Sequence, residues 1–286
     1  MRADDPIPVP PLALGVCSWS LQVGSIPELV GLMAGLNTDV CQLACGDPHH
    51  AAWAEGDDLP AVALASGLRF TGAMLGFPGE DYATPAAIRA TGGFGDPATR
   101  PERLDRLAWA LHRTRALGLA DLTLHAGFLP VPGDPGRSAF LDTLARAGNM
   151  AAEAGVTLAF ETGQEPASLL RQTLDDLAMP GLKVNFDPAN MLLYDMGDPI
   201  RAVEILGPDI RSVHLKDARR PTAKGEWGEE VPLGRGQVDI PRFLNALIRS
   251  GYTRPLLVER EVGDQAARVA DIASGLALAR ASLASL

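Results

Sequence analysis

Lysine is scarce in this chain: Lys183, Lys216 and Lys224 are the whole complement, so basic positions are mostly arginine, and the formal net charge is −10. A large basic face for a nucleic-acid backbone is therefore not expected. Cysteine is equally rare. Cys17, Cys41 and Cys45 do not make a disulfide framework. Cys17 and Cys41 fall in expected strands, where a buried, inert thiol is the simple reading. No run approaches ~18 consecutive apolar residues, so no membrane span is expected. The opening MRADDPIPVPP has acidic residues and prolines where a signal peptide needs an apolar run. A soluble cytoplasmic protein is the default expectation. No G-x-G-x-x-G follows the first expected strand, which leaves a dinucleotide site unsupported. There is no fixed repeat and no linker.

What is present is a strict alternation. The chain has 286 residues, 47% hydrophobic and 21% charged, enough for one well-buried core. Residues 1–11 read as an extended, proline-rich arm. Expected strands follow at 12–19, 39–45, 68–75 and 122–128, then up to Glu161, up to Asp187, up to about Lys216, and at 255–261. Expected helices lie at about 26–35, 58–66, 101–117, 137–154, 166–178, 198–206, 240–250 and 265–283. Ser25-Ile-Pro27 and Asp239 are helix starts, and Gly155 and Gly251 are stops. Residues 76–100 hold too many glycines and prolines for one long helix and read as a functional loop with a helical turn inside. Residues 218–238 read as a long polar loop. Eight strand–helix units imply parallel strands with right-handed crossovers. At this length a single-domain (β/α)8 TIM barrel over 12–286 is favoured over an open doubly wound sheet.

In such a barrel the reactive residues sit at the carboxyl ends of strands. Four of the last strands end in residues able to hold a metal: VTLAFE at Glu161, LKVNFD at Asp187, IRSVH at His214 and RPLLVE at Glu259. The spacings are 26, 27 and 45 residues, about one strand–helix unit for each of the first two and a unit plus a long loop for the third. Alone, each is readable as a cap, a rim charge or a hydrogen-bonded core histidine. Together, three carboxylates and one imidazole make a hard, oxygen-rich set, suited to one divalent ion, Mn²⁺ or Mg²⁺, with Co²⁺ or Zn²⁺ as alternatives. Lys216 stands two residues after His214, on the same side of the strand. It suits a substrate oxygen, or equally a rim salt bridge to a carboxylate such as Asp217. His125 and Asn190 point to the same rim, with a buried histidine and a helix start as their bland readings. Trp19, Trp53 and Trp227 lie in or near rim loops, to stack on a bound ring or simply to pack. Arg219, Arg220 and Arg235 are either phosphate contacts or rim charges.

With these residues assembled, the sequence resembles the xylose-isomerase-like TIM barrels, which group sugar isomerases and ketose 3-epimerases with endonuclease IV-type enzymes, and within them the sugar phosphate isomerase/epimerase branch. The likeness rests on FETGQE (160–165), NFDPANM (185–191), HLKD (214–217), GRGQVD (234–239) and VERE (258–261). It implies that Glu161, Asp187, His214 and Glu259 bind one divalent metal, that Glu161 and Glu259 exchange protons with the substrate, and that Arg220 contacts it. Two departures stand out. Asn190 occupies the place of a histidine frequent in both epimerases and endonucleases, and the loop after His214 lacks the endonucleases' Asp-x-His pair. DNA repair is therefore a poor fit.

The leading expectation is a metal-dependent isomerase or 3-epimerase of a small-molecule sugar or sugar phosphate. It would abstract a proton beside a carbonyl and pass through a metal-stabilised enediolate. The alternatives are a lyase eliminating from a keto-sugar or keto-glycoside, an endonuclease IV-like phosphodiesterase, and a barrel that only binds sugar. A homo-oligomer is compatible with all of them, and fold alone decides none.

Overall fold

The computed structural model describes residues 10–286. All of the expected arm except Pro10 and Pro11 lies outside the described residues. The elements in chain order are β1 (Leu14–Cys17), α1 (Ile26–Gly35), β2 (Val40–Ala44), α2 (Leu59–Ala65), β3 (Arg69–Leu75), α3 (Pro85–Thr91), α4 (Arg100–Ala116), β4 (Asp121–Leu124), α5 (Arg137–Glu153), β5 (Thr157–Glu161), α6 (Ala167–Leu177), β6 (Leu182–Phe186), α7 (Pro188–Leu193), α8 (Pro199–Leu206), β7 (Ile210–Leu215), β8 (Asp217–Arg219), β9 (Glu229–Val231), α9 (Ile240–Arg249), β10 (Leu256–Val258) and α10 (Gln265–Ala284).

Eight strands close into a parallel barrel in the order β1-β10-β7-β6-β5-β4-β3-β2. This is the TIM barrel expected from the alternation. Strands buried on both faces read as continuous apolar runs, as in LGVC of β1 and LLV of β10. Helix starts follow the capping chemistry: the side chains of Ser25, Asp198, Asp239 and Asp264 accept backbone N–H groups at the openings of α1, α8, α9 and α10. Each such cap contributes about 1 kcal/mol. At the amino end of the barrel, Asp121 receives Arg211 Nε at 2.5 Å and Arg254 Nη2 at 2.6 Å, a polar plug tying β4 to β7 and to the approach to β10. Cys17, Cys41 and Cys45 are unpaired; Cys17 and Cys41 are buried as expected, and Cys45 is buried as well.

The barrel is sealed where the two ends of the chain meet. Leu14, Gly15 and Val16 of β1 pair with Leu256, Leu257 and Val258 of β10. Just above that seam, Trp19 Nε1 donates to Glu259 Oε1 at 2.6 Å, and Arg260 N donates to Ser20 Oγ at 3.0 Å.

The stretch read as a loop at 218–238 contains an antiparallel hairpin, β8 with β9. Asp217 fixes its base. Oδ2 accepts Gly234 N at 2.9 Å and Gly236 N at 2.8 Å, while Oδ1 accepts Val238 N at 2.9 Å. A Cβ at Gly236 would lie 2.2 Å from Asp217 Oδ1, so only glycine lets the backbone approach. Asp217 therefore organises this loop and is not the partner of Lys216. Among the described residues, no helix is long and apolar enough to cross a membrane.

Candidate active site

Each strand delivers its residue to the carboxyl rim by a local device. Asp187 caps α7: its Oδ1 accepts Ala189 N at 2.7 Å and Asn190 N at 3.1 Å. That leaves Oδ2 turned inward, buried and without a hydrogen bond. Thr162 Oγ1 donates to the Asp187 carbonyl and accepts its amide, both at 2.9 Å, locking the ends of β5 and β6 together. Gly163 allows this closeness, since a Cβ there would sit 2.4 Å from Asn190 Cβ. Asn190 in turn donates Nδ2 to Glu161 Oε1 at 3.0 Å. Glu259 is oriented by the Trp19 indole.

His214 lies between the two glutamates, fully buried, with Nδ1 3.2 Å from Glu161 Oε1 and 3.3 Å from Glu259 Oε2. Its Nε2 faces Gln42 Oε1 at 2.7 Å, and Gln42 Nε2 donates to Thr123 Oγ1 at 3.1 Å. That chain suits a proton on Nε2, so that Nδ1 would face a cation once its own proton is displaced. One ligand atom from each of Glu161, Asp187, His214 and Glu259 lies within 4.8 Å of all the others. Glu161 Oε2, Asp187 Oδ2 and Glu259 Oε2 are buried acceptors with no hydrogen bond. Such oxygens are costly unless paired or coordinating, and a hard divalent ion fits them.

The electrostatics point the same way. Burial, with repulsion from Glu259 and Glu161, pushes the Asp187 carboxyl well above its usual range, against the pull of Lys216. Burial also works against charge on Glu259, but Lys216 and His214 hold it well below the ordinary value. For Glu161, burial is outweighed by His125 and His214, and its pKa is lowered. His214 is raised well above the usual imidazole range: burial opposes this, but Cys17, Glu259 and Glu161 overcome it. The Cys17 thiol is itself pushed up to about 12 by burial, so at neutral pH the two glutamates supply the charge. The two ionised glutamates that help raise Asp187 and His214 leave the cluster rich in negative charge, which a dication compensates.

Above the cluster opens a cavity of about 840 Å³, lined by Glu161, Glu259, Lys216, His125, Asn190, Trp19 and Trp227 among others. Seven of the residues singled out in the sequence thus share one space, with Asp187 and His214 at its base. His125 Nε2 lies 3.7 Å from Glu161 Oε2. Lys216 Nζ is 3.2 Å from Glu259 Oε2 and also contacts Glu261. Arg220 is placed elsewhere. Its guanidinium binds Asp195 at 2.7 Å and the Gly197 carbonyl at 2.5 Å, and it does not line the cavity. Trp53 does not line it either.

Several site residues were not singled out in the sequence: Gln42 and Asn185 behind His214, and Glu80, Tyr82 and Tyr194 on the walls. The signal for the first two was a polar side chain in a short strand, Gln42 in VCQLA and Asn185, two residues after Lys183, in LKVNF. Gln42→Leu should weaken divalent-ion affinity by roughly 10- to 100-fold, the usual cost of losing a group that orients a ligand. Titration of the apo-protein with Mn²⁺ by calorimetry checks this, and unchanged affinity would remove Gln42 from the site.

The comparisons with known proteins fit this geometry. The family profile described as xylose isomerase-like TIM barrel matches residues 61–282. An L-ribulose-5-phosphate 3-epimerase, UlaE, of Salmonella paratyphi A is 29% identical over 174 residues, 58% of this chain and 59% of that protein. The chain thus spans about three fifths of the length of that relative. Among solved structures, a xylose isomerase domain protein from Planctomyces limnophilus superposes with a TM-score of 0.82 at 32% identity, covering 88% of this chain and 91% of that one. An L-ribulose 3-epimerase superposes with a TM-score of 0.71 at 18% identity, covering 97% and 95%, and shows the shared fold. By the extent of the profile match and by the Planctomyces likeness, the chain belongs to the xylose isomerase-like TIM-barrel family.

Proposed function

We propose that this protein is a divalent-metal-dependent epimerase of keto-sugars, inverting a carbon beside a carbonyl with Glu161 and Glu259 as the proton-transfer pair. The observation that carries the reading is the placement of two buried carboxylates on either side of His214, both facing one cavity. The epimerase names of the relatives support it. Glu161, Asp187, His214 and Glu259 would hold the ion, with Mn²⁺ or Mg²⁺ preferred by so oxygen-rich a set. When bound, a divalent ion polarises the substrate carbonyl and lowers the cost of removing the neighbouring proton.

The chain's own residues do the rest. Glu161 is held by Asn190 Nδ2 and Glu259 by Trp19 Nε1, so each keeps one oxygen fixed and one directed inward. Both carboxyls are kept below their ordinary pKa, hence ionised and able to accept a proton at neutral pH. Mn²⁺-loaded protein incubated with a panel of ketoses in D₂O should invert C3 and incorporate one solvent deuterium there, read by proton NMR. An unsaturated product would instead assign β-elimination, and a lyase would replace this reading.

A further inference from the structure

The cavity's lining is predominantly acidic. Asp47, Glu80, Asp81 and Glu261 line it in addition to Glu161 and Glu259. Among the described residues no arginine lines it, and its one lysine is enclosed. Lys216 Nζ has Glu259 at 3.2 Å, Asp187 and Glu230 at 3.8 Å and Glu261 closer still. The arginines that the sequence offered for a phosphate serve other ends: Arg219 pairs with Glu229 at 2.7 Å and Arg220 with Asp195 at 2.7 Å, while Arg235 does not line the cavity. Arg89 lies over the Phe128 ring, 3.9 Å from its centroid. At the mouth, His50 is held by Asp47 at 2.8 Å. A phosphate dianion is normally clamped by a free guanidinium fork. Here it would enter among carboxylates, and like-charge contact is strongly unfavourable.

The opposite preference is built into the walls. Tyr194 and Trp227 stand edge to face with ring centroids 4.8 Å apart, and Leu193, Met74 and Tyr82 continue the apolar lining. Trp227 Nε1 is buried with no hydrogen-bond partner, so what this residue offers the cavity is its ring. Aromatic faces with a polar edge suit a sugar ring, whose C–H face stacks while its hydroxyls hydrogen-bond. The volume of about 840 Å³ belongs with sites for drug-sized ligands, ~300–1,000 Å³, and exceeds the needs of one monosaccharide.

We propose that the site takes an uncharged keto-sugar extended by a second ring, the second ring lying along Tyr194 and Trp227, rather than a sugar phosphate. This rests on the keto-sugar reading of the site and narrows it. The test uses D-fructose, D-fructose 6-phosphate and isomaltulose, which carries a glucosyl ring on the same oxygen as the phosphate. Binding to Mn²⁺-loaded protein is measured by calorimetry, and deuterium uptake at C3 by NMR. Isomaltulose should bind about tenfold tighter than fructose, and fructose 6-phosphate about tenfold weaker or worse. Trp227→Ala should weaken isomaltulose about tenfold more than fructose, and Trp227→Phe should restore most of the difference. Fructose 6-phosphate binding as tightly as fructose, or an isomaltulose advantage that survives Trp227→Ala, would overturn the inference. If deuterium exchange then still occurred with the phosphate ester, the epimerase reading would stand. Failure of all three sugars to bind or exchange would count against both.

Discussion

Replacing His214 with alanine should release the divalent ion. Wild-type protein should purify with about one ion per chain, and the variant with a tenth of that or less. The reason lies in the donor set. In the proposed set His214 would contribute the one neutral ligand, held between Glu161 and Glu259 and aimed by Gln42. Without it, the remaining carboxylates keep their charge but lose the group that separates them. A thermal readout separates this from misfolding. At an ion concentration 100-fold above Kd, binding should stabilise the wild type by about 2.7 kcal/mol, which for a domain of this size raises Tm by roughly 4–5 °C. The variant, folded by circular dichroism, should show no such rise. Unchanged metal content by elemental analysis would sink the ligand assignment.

The second large effect concerns the two glutamates. Glu161→Gln and Glu259→Gln each keep a carbonyl oxygen able to coordinate but cannot accept a proton as a carboxylate does. Each should lower turnover by about 10²- to 10⁴-fold, the range for loss of a general base. The two should also differ in kind. Glu161 stands at the end of β5 beside His125, and Glu259 follows β10 beside Lys216, so in the proposed reaction they would approach a bound sugar from different sides. With metal retained, each variant should still exchange the C–H of one epimer with D₂O and fail with the other, in opposite senses. Proton NMR of each epimer with each variant reads this directly. Undiminished exchange in both variants would rule out a two-base mechanism, and loss with both epimers in one variant alone would favour a single base.

How much of this could be read in advance follows from where the chemistry sits along the chain. Glu161, Asp187, His214 and Glu259 each close an apolar run, so the change from buried strand to polar ligand is visible without coordinates. The barrel was legible for the same reason: period and punctuation are local. What escaped depends on contacts across the fold. Gln42 and Asn185 are buried strand residues whose partner, His214, is distant in sequence. The hairpin of β8 and β9 has strands of three residues, DAR and EEV, too short and too charged to alternate. The six residues of α7 follow Asp187 directly, so its carboxylate reads as metal ligand or helix cap, and in the structure one oxygen caps while the other faces the site. Arg220 illustrates the reverse: its position matched a substrate contact, but Asp195 and Gly197 take its guanidinium. No spacing rule reveals which anion an exposed arginine will find.

The seam between β1 and β10 bears on the order in which the molecule assembles. Trp19 and Glu259 are 240 residues apart in the chain, as are Ser20 and Arg260. Contacts of such separation form against a large loop-closure entropy, so they come late unless nearer contacts have already brought the ends together. Glu259 is aimed only once Trp19 is beside it. Ion affinity should therefore appear in refolding only after the last strand docks on the first. In a stopped-flow experiment, a manganese-dependent signal would serve as a clock for barrel closure, trailing the far-ultraviolet signal of the helices.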